Sequence, residues 1–102
     1  MNVDTPSRFR GLGTTEIHGI RVLVATTFCS RLLGLALLSA ESAPAGLLIP
    51  GCNSIHTFGM GFPIDIVFLD ERRRELRRAR VPPRRVARER RAAAVLELPT
   101  GS

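Results

Sequence analysis

The sequence predicts a small, mainly β (α+β) domain with one short helix. Three observations carry this. Apolar residues alternate with a period of two at Ile20, Val22 and Val24, and again along Ile64 to Asp70. Turn-forming pairs such as Pro50-Gly51 and Pro82-Pro83 cut the chain into strand-length pieces. Only one stretch, Phe28, Leu32 and Leu35, keeps the i, i+4, i+7 spacing of a helical face. With five Phe and neither Trp nor Tyr, the core must come mostly from Leu, Val, Ile and Ala.

Residues 1–13 are polar, are closed by Gly11 and Gly13, and read as a flexible arm. Residues 14–102 then form one domain, since 102 residues leave no room for two. Ile17 to Ala25 reads as a strand, or as a hairpin broken at Gly19. Thr26-Thr27 offers an N-cap for a helix from about Phe28 to Leu38. Gly34 inside it weakens it by roughly 1 kcal/mol relative to Ala. Ser39 to Gly46 is small and polar, a loop. Leu47 to Ile49 is a short apolar strand stopped by Pro50-Gly51. Ser54 to Met60 and Ile64 to Asp70 are two further strands, separated at Gly61-Phe62-Pro63. Asp70 to Arg74 is a turn leading into a solvated strand that ends at Val81, because Leu76 and Val81 are too few to bury a helical face. Residues 84–92 read as a loop, and Ala93 to Leu98 as a final strand.

The net charge of +6 is concentrated. Residues 71–91 hold eleven Arg and three Glu, a net of +8, and the rest of the chain holds four Arg and six acids, a net of −2. No stretch is long and apolar enough for a membrane span: Ser42 to Ile64 lacks Asp, Glu, Lys and Arg but contains three prolines, Asn53 and His56. Residues 1–10 have no apolar signal core, so a cytoplasmic location is expected. In a reducing compartment Cys29 and Cys52 are expected to be free thiols.

The segment from Cys52, CNSIHTFGMGFPIDIVFLD, is the most distinctive. In its second strand Ile64, Ile66 and Phe68 share one face with Asp70, and Asp65, Val67 and Leu69 share the other. Both faces are mainly apolar, so this strand is expected to be central, and Asp65 to have a partner. Four pieces together resemble the family called domain of unknown function 192: Thr27 to Leu35, Gly46 to Ile49, His56 to Asp70 and Val95 to Gly101. The resemblance covers roughly residues 20–101, and Met60, Pro63, Asp65 and Asp70 all stand at the family's spacing. It implies a small barrel-like antiparallel sheet with one short helix, and no particular activity. Two departures stand out. The family's turn after the second Asp usually contains Gly, whereas here it is Glu71-Arg72-Arg73-Arg74. Many relatives also continue past VLELPTG into another strand, and without it a sheet edge is left open to pair with a second chain.

The favoured functional reading is a non-catalytic accessory domain for a small molecule or a protein, using a polar site at Arg31, Asn53, His56, Met60 and Asp65. His56 and Asp65 could serve as an acid–base pair, because imidazole titrates near neutral pH. As a buried pair they would instead fix strand register. A small hydrolase-like enzyme would draw its nucleophile from Cys52 or Ser54, which share the parity of His56, but no nucleophile elbow or oxyanion hole is visible. Cys52-x-x-x-His56 supplies only two ligands, so neither a metal nor a cofactor is expected. The third reading is anion binding by Arg77, Arg78, Arg80, Arg84 and Arg85. Residues 71–91 hold no aromatic side chain on which a base could stack, which argues against nucleic acid. Arg31 would either pair with Asp65 or Asp70 or face water.

Overall fold

The strand expected to be central, Ile64 to Asp70, lies inside the main sheet with a partner on each side. In the computed structural model, which describes residues 11–25, 46–58 and 60–99, eight strands form two sheets. They are β1 (Thr14–Ile17), β2 (Ile20–Val24), β3 (Leu47–Pro50), β4 (Ser54–His56), β5 (Ile64–Leu69), β6 (Glu75–Val81), β7 (Val86–Arg88) and β8 (Ala94–Pro99). Six of them make a mixed sheet in the order β1-β2-β3-β8-β5-β6, and β4 and β7 form a separate two-stranded ribbon. All pairs are antiparallel except β2 with β3.

Register explains the burial. Phe68 lies opposite Val95, which lies opposite Ile49, while Val67 lies opposite Leu96 and Leu96 opposite Leu48. The period of two then sorts the apolar residues onto opposite faces. Ile64, Ile66, Phe68, Val95 and Ile49 belong to one core cluster; Val67, Leu69, Leu96, Leu48 and Val22 belong to a second. The ribbon adds Ile55 and Ala87 to the first cluster, so that face is covered by a second layer.

Where the parallel strands β2 and β3 meet, the backbone comes close. A Cβ on Gly46 would lie 2.7 Å from Val22 Cγ1 and 2.9 Å from Leu98 Cδ2, so only glycine fits there without displacement.

The structure changes several expectations. The sheet is open, not barrel-like: its two edge strands, β1 and β6, do not pair with each other among the described residues. The helix expected over Phe28 to Leu38 lies outside the described residues. The strand expected over Ser54 to Met60 stops at His56. There Thr57 takes its partners from the β6–β7 turn, and the chain bends back, with the Met60 N–H donating to the Thr57 carbonyl at 3.1 Å. The loop expected at residues 84–92 contains β7, in which only Ala87 is buried, so no alternation marks it. Finally, β8 is flanked by β3 and β5, so the sheet edge expected to be open beside it is filled. The edge at β6 exposes Arg77, Arg78 and Arg80, like charges that discourage pairing with another β6.

Candidate ligand-binding cleft

Two turns that are far apart in sequence meet at one end of the sheet. The first joins β1 to β2 through His18 and Gly19. Both have positive φ, 50° and 83°, as the tight two-residue hairpin turn requires. Glycine adopts this freely, and histidine is one of the few other residues that tolerates it.

The second turn joins β5 to β6 and is organised by Asp70. Its Oδ1 accepts the N–H groups of Arg72 at 2.8 Å and Arg74 at 2.9 Å, and its Oδ2 meets the Arg74 guanidinium at 3.2 Å. The Asp70 N–H donates to the Arg74 carbonyl at 2.9 Å. Arg73 takes the left-handed position, φ 65°, that a glycine would ordinarily occupy in such a turn. The departure of Glu71 to Arg74 from the family's Gly-containing turn therefore has a backbone consequence: an arginine is held where glycine is preferred. Strain of this kind, about 1–3 kcal/mol, persists only when surrounding contacts hold it.

One such contact is His18 Nε2 to the Arg73 carbonyl, at 2.9 Å. A carbonyl only accepts, so Nε2 is the donor in this bond. This clasp joins the two strained turns. Between them lies a cleft of about 570 Å³. Its rim carries Glu16, His18, Arg72, Arg73 and Arg74, and its floor includes Ile17, Val24 and Leu48. A second opening, about 430 Å³, lies beside the same turn, with Arg91 opposite Arg72 and Arg74. Arg91 is itself bound to Glu89 at 2.9 Å.

The Arg74 N–H holds the Asp70 carboxyl below its ordinary range; desolvation opposes it, and the Arg72 N–H and the charge of Arg74 add to the lowering. A depressed folded pKa means stability that is present above the unfolded carboxylate pKa and lost as pH falls through the folded value. The Arg72 and Arg74 amide resonances should therefore titrate together at a pH below that of a free aspartate, and Asp70→Asn should abolish that titration. NMR between about pH 5 and pH 2 reads both.

The described residues among those singled out from the sequence for the polar site stand apart from one another. Arg31 and Cys29 lie outside the described residues. Asn53 is exposed, and its carbonyl accepts the Glu89 N–H at 2.9 Å. Met60 is buried in the first core cluster. Asp65 pairs with Arg80 across the β5–β6 ladder at 3.2 Å. His56 faces outward from β4, whose partner is β7 and not β5, so the strand pairing that was to bring it to Asp65 is not made. Its ring lies 5.9 Å from that of Phe58. The arginines divide by strand parity and partner. Arg78 binds Glu75, Arg77 lies 5.3 Å over the Phe68 ring, and Arg84 and Arg85 sit in the β6–β7 turn. Cys52 donates its thiol to the Ser54 carbonyl at 3.0 Å. Among the described residues no three His, Cys, Asp or Glu side chains gather as a metal cage, and no helix is long and apolar enough to cross a membrane.

Sequence reasoning missed the cleft. The His18-Gly19 pair was a readable turn signal, and so was an Asp opening a four-residue turn. Nothing in the sequence placed the two together. It also passed over Glu97, which is buried on the core side of β8 between Leu47 and Ile66 and is not without a partner.

The fold and the cleft define a small open-sheet β domain capped by a ribbon, with an arginine-lined recess at one end. The chain belongs to the domain of unknown function 192 family, described as "Uncharacterized ACR", whose model matches residues 11–102. It is similar to the crystal structure of a protein of unknown function from Novosphingobium aromaticivorans, with a TM-score of 0.56 and 17% identity over 99% of this chain and 89% of that one. At that identity the likeness shows the fold. No curated protein matches the chain.

Proposed function

We propose that this domain is a non-catalytic binder of a small anionic molecule, a carboxylate or a phosphate, in the cleft between the His18-Gly19 and Asp70–Arg74 turns. The observation that carries the reading is the clasp between His18 and Arg73, which holds three consecutive arginines at one recess. Among the described residues neither Arg72 nor Arg73 has an acidic partner, so two guanidinium groups remain for a ligand. Guanidinium groups suit planar or tetrahedral oxyanions because they donate hydrogen bonds in pairs. The floor of Ile17, Val24 and Leu48 receives an apolar body, and about 570 Å³ is within the ordinary range for a small-ligand site. Glu16 on the rim opposes a ligand of high negative charge and favours one with a single anionic end. No hydrogen-bonded base–nucleophile pair forms in the cleft among the described residues, which supports binding over catalysis.

Arg73→Gly separates this reading from a purely structural one. It removes a guanidinium while giving the left-handed position the residue that prefers it, so the fold is expected to survive. Calorimetric titration with inorganic phosphate and with butyrate should show saturable binding to the wild type and at least a tenfold loss in the variant, the order of one charged hydrogen bond. Equal binding by the variant, or no binding of either probe at millimolar concentration, would sink the proposal.

A further inference from the structure

The ribbon carries a second surface, independent of the cleft. In β4 and β7, Ile55 and Ala87 point into the core, so parity turns Ser54, His56, Val86 and Arg88 outward. On this side Phe58 is 53% exposed and Val86 66% exposed, high values for large apolar side chains in a chain with so few aromatics. The His56 and Phe58 rings lie 5.9 Å apart at 38°, forming a two-ring platform.

Thr57, between them, is fully buried and fixes the platform to the arginine turn. Its hydroxyl donates to the Pro82 carbonyl at 2.6 Å and accepts the Arg85 N–H at 2.8 Å. Its carbonyl accepts the Arg84 N–H at 3.2 Å, and its own N–H donates to the Arg85 carbonyl at 2.8 Å. Arg84 and Arg85 are thereby held beside the residue that joins His56 to Phe58, while Arg88 stands opposite Ser54 on the same outward face. Residues 53–58 and 84–88 contain three arginines and no carboxylate.

We propose that this face binds single-stranded nucleic acid, with Phe58 and His56 stacking on bases and Arg84, Arg85 and Arg88 contacting phosphates. Exposed rings beside arginines that have no acidic partner among the described residues match a polyanion that carries planar bases at regular intervals. Residues 71–91 hold no aromatic of their own, and the fold supplies two from the neighbouring strand. An acidic peptide would satisfy the charge but would leave the ring faces unused.

Fluorescence anisotropy with a labelled oligothymidylate of about twelve nucleotides tests this. Binding should weaken with salt, with a slope of log K on log salt of about −2 for three phosphate contacts on a single strand. Phe58→Ala should weaken it about tenfold, and Phe58→Tyr should restore it. Arg88→Gln should make the slope shallower by about 0.7. Arg73→Gly, in the separate cleft, should leave binding unchanged. Phe58 is exposed, so its variants are expected to keep the wild-type circular dichroism and melting temperature. The proposal is overturned by no anisotropy change at low salt, by wild-type affinity in Phe58→Ala, or by polyglutamate competing as strongly as unlabelled oligothymidylate.

Discussion

Phe68→Ala is expected to lower the stability of this domain by about 3–5 kcal/mol, the range for deleting a buried phenyl ring and leaving a cavity. Phe68 is fully buried on the interior strand β5, opposite Val95 on one side and Arg77 on the other. The β5–β8 ladder runs unbroken past this residue, and the β5–β6 ladder shifts register only after it, between Phe68 and Leu69, so the backbone on the β8 side has little freedom to collapse into the space. The Arg77 guanidinium over the ring, 5.3 Å from its centre, would lose its aromatic partner as well. Domains of this size are stabilised by only about 5–15 kcal/mol, so the substitution removes a large share of the total. Urea unfolding should show a lower midpoint with an unchanged slope. Phe68→Leu, which keeps most of the volume, should lose far less. A change in Phe68→Ala below about 1 kcal/mol would contradict the central placement of this side chain.

The second large effect is expected from Thr57→Val. The substitution keeps the shape and removes one hydroxyl. That hydroxyl bridges the Pro82 carbonyl and the Arg85 N–H, two backbone groups of the β6–β7 turn. Leaving a donor and an acceptor unpartnered beside a buried side chain costs about 2–3 kcal/mol in all, discounted because the turn itself reaches solvent. Thr57→Ser retains the hydroxyl and should cost less than half as much. The same denaturation experiment reads both. If valine and serine behave alike, the hydroxyl does not hold the turn. The hydroxyl also positions Arg85, so Thr57→Val should weaken oligonucleotide binding beyond what its loss of stability explains.

The fates of the two polar residues in the distinctive segment show how far sequence reading reached. Asp65 was expected to need a partner because it interrupts an apolar strand, and Arg80 provides one directly across the ladder. That inference used only local alternation and the cost of burying a charge. His56 was expected to approach Asp65 because two strands adjacent in sequence often pair. Here β4 leaves the main sheet and pairs with β7, a strand of three residues with arginine or valine at its outward positions. The arginine run was legible as charge but not as surface. Alternate residues of β6 point to opposite faces, and Glu75, Asp65 and the Phe68 ring each engage one arginine. The cleft depends on a hydrogen bond between residues 18 and 73, which leaves no trace in the local pattern around either.

The sequence by itself determined that the domain is mainly β, that Ile64 to Leu69 is an interior strand, that Asp70 opens a turn, and that positive charge gathers in residues 71–91. Each of these follows from periodicity, turn chemistry or composition, which act over a few neighbouring residues. Only the tertiary structure decided that the sheet stays open, that β8 lies inside it, and that His18 meets Arg73 while His56 meets Phe58. Strand partners are chosen by which arrangement buries both apolar faces at once, a property of the whole chain. The polar side chains left at the rims of that arrangement meet as a consequence of it, and they form the two surfaces proposed here for binding.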